Sequence, residues 1–447
     1  MTRSTLARAL AACVAGLLAS VARAQSPRPG SLSPAERVVA RTVDAENART
    51  LALLQRLVEI NSGTMNFAGV RQVGDILRAE LDSLGFTTRW VDGASFHRAG
   101  HLVAEHPGTG PKLLLIGHLD TVFEPSSPFQ HFERLNDSTA RGPGVIDMKG
   151  GDVIIVAALR ALRSARLLDG MNITIVYDGD EEDAGSPLAE ARRALMEAAR
   201  GASAAIGFED GPGDPHVGVI ARRGDEGWML RTTGTPAHSS QIFTPDVGAG
   251  AVYEASRVLS EFYRQLTGEQ YLTFNPGLAL GGTAVALDST AVRGSAEGKT
   301  NIVAAQMTVT GDLRTISPAQ LGHAKQSMLA ILKKNLPRTA ATLTFEPGYP
   351  PMAPTAGNKR LLALYDRVSR DLGLWPVTAA DPAKAGAADV SFVAALVPMK
   401  LDGVGLSGHD DHTTGETADL RMLPVQVKRA AILLHRLTTH RAETMDR

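Results

Sequence analysis

Four apolar residues, Leu113 to Ile116, run into Gly117 and then directly into His118-Leu119-Asp120. A run this short and this apolar reads as a buried strand. Side chains at i and i+2 of a strand share a side, so His118 and Asp120 can point to one place at the strand's end. A Gly-rich turn farther on, Arg141-Gly-Pro-Gly-Val-Ile-Asp-Met-Lys-Gly-Gly151, delivers Asp147. Any fold for this chain has to accommodate polar groups gathered beside that buried strand.

The surrounding pattern supplies the frame. Helical spacing spans Glu36 to Ile60 and Val70 to Leu84, the second closed by Gly85. Strands are expected at Phe86 to Val91, His101 to Glu105, Asn172 to Tyr177 and Ala204 to Phe208, with helices at Asp152 to Arg166 and Leu188 to Arg200. Strands that alternate with helices and end in polar residues predict an α/β sheet with its site at the strands' C-terminal ends.

After Arg222-Arg223-Gly224 the texture changes. Strands are predicted at Trp228 to Thr233, Ala284 to Leu287, Asn301 to Leu313 and Ala341 to Glu346, with helices at Gly248 to Leu266 and Pro318 to Leu336. That order, β-α-β-β-α-β, describes a four-strand, two-helix α+β module. The α/β texture resumes near Gly348. The expected organisation is a discontinuous catalytic domain, 25–223 and 347–447, interrupted by an inserted module, 224–346. One continuous domain is the alternative.

The first 24 residues stand apart: Arg3 and Arg8 precede an apolar segment, Ala9 to Ala22, and Ala22-Arg23-Ala24 has the small-x-small form of a cleavage site. The segment is shorter than the ~20 residues of a membrane span, which makes a secretory signal the expected reading over a membrane helix. Leu10-Ala11-Ala12-Cys13 could mimic a lipoprotein box, but too little apolar chain precedes it. Cleavage after Ala24 would remove three Arg and take the formal charge from −1 to −4. It would also remove Cys13, the only cysteine. Metal ligands must then be oxygen and imidazole. No long basic run or basic-aromatic patch occurs, so nucleic acid is not an expected partner. A soluble protein outside the cytoplasm, secreted or periplasmic, is expected, with no membrane contact after cleavage.

The candidate chemistry lies in acids and histidines that follow apolar runs. Glu181 and Glu182 follow Asn172 to Tyr177; Glu209 follows Ala204 to Phe208; His409 and His412 lie near the end. Neighbouring residues of an extended segment face opposite ways, so Glu181 and Glu182 should have different jobs, one on metal and one on protons. A solvated acidic turn is the other reading, since Asp178, Asp180 and Asp183 surround them.

These stretches together resemble the zinc metallopeptidase family of glutamate carboxypeptidase (carboxypeptidase G), aminoacylase, acetylornithine deacetylase and succinyl-diaminopimelate desuccinylase. Gly117-His-Leu-Asp-Thr-Val122, Gly142-Pro-Gly-Val-Ile-Asp-Met-Lys-Gly-Gly151, Asp180-Glu-Glu-Asp-Ala-Gly-Ser186, Gly207-Phe-Glu-Asp210 and Gly408 to Glu416 carry the likeness, which spans essentially the whole mature chain. It implies a zinc-exopeptidase-like catalytic domain with an inserted dimerisation domain, two Zn2+ (Co2+ or Mn2+ being possible) and a homodimer. Asp147 would bridge the metals, with His118 and Glu209 on one and Glu182 and His412 on the other. His409 is the alternative to His412, which has Glu416 four residues after it. Asp120 would orient His118, and Glu181 would be the general base. His238 would reach the partner's site and help hold the oxyanion; otherwise it caps a turn. Asn301 and Arg314 would hold substrate, the latter's fork suiting a carboxylate; otherwise Arg314 is a surface ion pair. Gly386 to Asp389 matches a Gly-rich family loop, in altered form.

The implied activity is hydrolysis of an amide or peptide bond that releases a C-terminal amino acid, the substrate being a peptide or N-acyl amino acid. Deacylation of N-acyl amino acids is the alternative. A catalytically inactive binding relative would need a missing ligand or base, and none is missing.

Overall fold

The computed structural model describes residues 31–288 and 291–439. The expected signal at 1–24, with Cys13, lies outside them.

Ser33 starts the first helix, Pro34–Val58, through a reciprocal cap. Its hydroxyl accepts the Glu36 N–H at 3.2 Å, and the Glu36 carboxylate accepts the Ser33 N–H at 2.6 Å. The cap places the start slightly before the apolar periodicity does. Phe67–Ser83 follows, capped by the Asn66 side chain.

The central sheet has six strands in the order Thr87–Asp92, Gly100–His106, Asn172–Asp178, Lys112–His118, Ala204–Gly207, Met399–Leu401. The last four run parallel and the first two pair antiparallel, so the sheet is mixed. Its strands alternate between two apolar layers. Leu113 and Leu115 join one core with the helices Pro34–Val58, Phe67–Ser83, Lys149–Ser164 and Met422–Thr439. Leu114 and Ile116 join the other, with Leu195, Val393 and Val397. Each such buried side chain contributes about 1.5–3 kcal/mol. The parallel strands end on one side, at His118, Asp178, Gly207 and Leu401, which is where the chemistry collects.

A second sheet has four antiparallel strands in the order Thr273–Gly282, Gln306–Thr315, Gly224–Gly234, Thr339–Pro347. The helices Ala251–Leu266 and Pro318–Ile331 pack on it through Val258, Phe262 and Met328. Two strand assignments from the sequence change. Thr273–Gly282 is a full strand, whereas Ala284–Leu287 forms a separate hairpin with Gly294–Glu297. The last strand but one begins at Gln306, which leaves Asn301 outside it. Asn275-Pro276-Gly277 hides the missed strand from propensity, and the ladder bulges there, between Pro276 and Leu278.

The two connections between the sheets lie side by side. Arg222 and Met352 exchange both N–H···O bonds at 3.0 Å, and the Asp225 N–H reaches the Tyr349 carbonyl at 2.8 Å. A third small sheet pairs Gly408–His409 with Thr417–Asp419, and the latter with Thr139–Arg141. It brings the last motif against the Gly-rich turn. Among the described residues, no helix is long and apolar enough to cross a membrane.

Candidate metal centre

His118 is the last residue of its strand and is buried. Its Nδ1 lies 3.1 Å from the Asp120 carbonyl oxygen, which assigns the ring proton to Nδ1. Nε2 is thereby left to face Asp147 Oδ1 at 3.0 Å and Glu209 Oε1 at 3.5 Å. Glu209 follows the neighbouring parallel strand, two residues past Gly207.

The Gly-rich turn needs its glycines for shape. Gly144 has φ +72°, and a Cβ at Gly151 would sit 2.0 Å from the Phe208 carbonyl oxygen. The helix Lys149–Ser164 can therefore press its first turn against the strand end that carries Glu209. Glu416, fully buried, holds this turn. Its carboxylate accepts the N–H groups of Gly144, Ile146 and Asp147 at 3.0, 2.9 and 3.2 Å. In the sequence Glu416 stands out only by its spacing, four residues after His412.

Asp120 has contacts beyond His118. Its carboxylate stands 3.4 Å from His118 Nδ1, farther than its own carbonyl. It accepts the N–H of Glu181 at 3.0 Å, the N–H of Glu182 at 3.1 Å and the Thr64 hydroxyl at 2.6 Å. The acidic turn is thus clamped from beneath, and Glu181 and Glu182 are held with it.

His412 has left-handed backbone, φ +59°. Its Nε2 lies 2.8 Å from Asp147 Oδ2 and 3.2 Å from Glu182 Oε2. His409 is exposed on the Gly408–His409 strand and lines the same cavity without joining either group of candidate ligands. Two such groups result: His118, Asp147 and Glu209, and Asp147, Glu182 and His412, each with donor atoms within 4.8 Å of one another. Asp147 belongs to both and turns one oxygen to each.

The carboxylates and imidazoles shift one another's protonation. Burial and the Asp147 charge push the Glu182 carboxyl up to about 8, and the Glu182 Oε1 is buried without a partner. Hydrogen bonds to Asp147 and Glu182 raise His412 to about 11. Burial opposes charge on His118, but the Glu209, Asp120 and Asp147 carboxylates outweigh it and raise its pKa well above the ordinary value. Burial, and then the Glu209 charge, raise Glu181 well above the usual carboxylate range. Crowded carboxylates with only imidazoles between them call for cations. Donors that are all carboxylate oxygen and imidazole nitrogen, in two triads sharing one aspartate, fit a pair of divalent ions.

These groups face an open cavity of about 380 Å³, lined by Asp147, Glu181, Glu209, Arg222, Lys384 and His412 among others. Gly386 and Ala387 also line it, whereas Asp389 is held by Arg192 at 2.7 Å. His238, Asn301 and Arg314 stand on the second sheet's side and do not line it. The His238 Nδ1 caps the short turn after it, 3.3 Å from the Ser240 N–H, and the neighbouring Ser239 N–H reaches the Asn301 carbonyl at 2.8 Å. Arg314 pairs with Asp312 at 2.9 Å.

The model of peptidase family M20/M25/M40 matches residues 114–436. Carboxypeptidase G2 of Pseudomonas sp. (strain RS-16) is 25% identical over 406 residues, covering 89% of this chain and 92% of its own. The aminopeptidase PepT of Bacillus cereus superposes with a TM-score of 0.70 at 18% identity, over 88% of this chain and 98% of its own. A Bacillus subtilis protein described as a dinuclear metal-binding peptidase of the M20 family gives 0.61 at 16% identity, over 88% and 99%.

Proposed function

Because the chain belongs to peptidase family M20/M25/M40 and is a metallohydrolase of peptide or amide bonds, we propose that it is a dizinc exopeptidase releasing a C-terminal amino acid, with glutamate the first to test. The observation that carries this is the double commitment of Asp147, one carboxylate oxygen to each group of candidate ligands. Asp147 would bridge two ions, with His118 and Glu209 on one and Glu182 and His412 on the other. Zinc held there would polarise the carbonyl and lower the pKa of water to about 7. Glu181 then takes a proton from the attacking water and returns it to the leaving amine. Asp120 keeps the base in place through the peptide N–H groups of the turn.

The same reading covers organisation. The second sheet and its helices form an inserted domain, 224–346, between catalytic parts 25–223 and 347–447. Two copies pair through it. His238, exposed and outside this chain's cavity, would serve the partner's site, and Asn301 and Arg314 would hold substrate. Arg3, Arg8 and the apolar segment after them support export to the periplasm or beyond.

Metal analysis coupled to a hydrolysis panel tests the proposal. The purified protein should hold two metal ions per chain and release free C-terminal amino acids from dipeptides and N-acyl amino acids. Turnover of acetyl or succinyl derivatives alone would replace the carboxypeptidase reading with a deacylase.

A further inference from the structure

We propose that Tyr349 is a positioning residue for Glu181, its hydroxyl fixing the peptide next to the base from the segment that leaves the second sheet. The proposal rests on the reading of Glu181 as the base.

Glu181 is held at both ends of its backbone. Its N–H donates to Asp120 Oδ1 at 3.0 Å, and its carbonyl accepts the Tyr349 hydroxyl at 2.8 Å. The direction of the second bond is settled by chemistry. The Arg192 Nη2 lies 2.8 Å from the same hydroxyl, and a guanidinium only donates. The single phenol hydrogen is therefore free to go to Glu181. Burial raises the Tyr349 pKa well above its ordinary value, which keeps that hydrogen in place.

Arg192 is itself immobile. It donates to Asp180 Oδ1 at 2.6 Å, the Asp180 carbonyl at 3.0 Å and Asp389 Oδ1 at 2.7 Å. The tyrosine ring is wedged against Phe392, centroids 4.8 Å apart, and under the Arg192 guanidinium at 5.6 Å. Its backbone carbonyl accepts the Asp225 N–H across the paired connections. The hydroxyl thus sits on a rigid mount. Without it, the acidic turn keeps its clamp below and loses the one above, so the carboxylate is free to drift from its working position. A drift of about 1 Å costs up to about 100-fold in rate.

Tyr349→Phe removes the hydroxyl and keeps the ring contacts. Turnover on a dipeptide that the wild-type protein hydrolyses should fall about 10- to 100-fold in kcat, with KM within twofold and two metals retained. Tyr365→Phe is the control. That hydroxyl bonds Gln426 at 3.0 Å deep in the core, so its loss should lower Tm and leave kcat alone. Glu181→Gln separates the two claims. If it retains activity, the base reading falls and this proposal with it. If it is inactive while Tyr349→Phe keeps kcat within twofold of wild type, only the positioning role falls. A kcat loss in Tyr349→Phe that follows metal loss, or that Tyr365→Phe reproduces, also overturns it.

Discussion

Two groups of buried and half-buried acids lie at the same end of the central sheet, and they are neutralised differently. In one, Asp180 and Asp389 flank Arg192, which bonds both carboxylates directly at 2.6 and 2.7 Å. In the other, Asp147, Glu182 and Glu209 meet only imidazoles, and among the described residues no Lys or Arg forms an ion pair with them. The first carries its own countercharge and is closed. The second offers carboxylate oxygens and imidazole nitrogens as candidate metal ligands. One acid-rich turn serves both, since Asp180 belongs to the closed group and Glu182 to the open one. Arg192 also bonds the Asp180 carbonyl at 3.0 Å, so the closed group holds the turn that carries Glu182.

Catalysis should show the contrast most strongly. Glu181→Gln is expected to cut kcat by about 10³-fold while leaving the metal content unchanged. A variant that loses its metals would mean that Glu181 belongs with the ligands instead.

Arg192→Met strips the closed group of its cation and leaves Asp180 and Asp389 buried without one. A loss of about 3–5 kcal/mol in denaturant unfolding is expected. A loss below about 1 kcal/mol would erase the distinction between the two groups.

Chelation acts on the open group alone. Stripping ions present at 100 to 1,000 times their dissociation constant should cost about 2.7–4.1 kcal/mol, read as a fall in Tm. The Asp147→Ala variant, lacking the residue common to both groups of candidate ligands, should show no such fall.

The smallest effect is a pH slope from His101, which stacks behind the closed group. Its Nε2 lies 2.8 Å from the Ala191 carbonyl, and its Nδ1 lies 3.2 Å from the Gly179 N–H and 3.1 Å from Asp178 Oδ1. Burial lowers its pKa from 6.5, with Asp178, Asp180, Asp389 and Arg192 around it. Below pH 6.5 the unfolded imidazole binds a proton that the folded one rejects, so stability falls as pH falls. The contribution is at most about 1.4 kcal/mol per pH unit. His101→Gln should flatten the stability profile between pH 6.5 and 5.

Much of the open group was legible because several of its members end or follow an apolar run and the motifs around them resemble a known family. His118 and Glu209 sit at the ends of strands that any hydropathy reading finds, and Asp147 sits in a turn whose glycines announce a tight approach. The closed group was not legible. Arg192 falls in a stretch with plain helical spacing, yet the helix breaks there into Leu188–Ala191 and Arg193–Ala198, with Arg192 at φ −94° and ψ 3°. The side chain at the break is the buried guanidinium. Tyr349 meets Glu181 across 168 residues of sequence, and no local pattern marks it. The strand Thr273–Gly282 was missed for the opposite reason, because Asn275-Pro276-Gly277 imitates a turn within a ladder that tolerates it as a bulge.

Glu416 carries a consequence for the order in which the protein comes into being. Its carboxylate gathers the peptide N–H groups around Asp147, a segment made some 270 positions earlier. Until translation has passed that glutamate, the shared aspartate has no seat and His412 has only just been made. With the proposed ligands, a growing chain would be hydrolytically silent, and proteolytic trimming of the last motif would disarm the finished one.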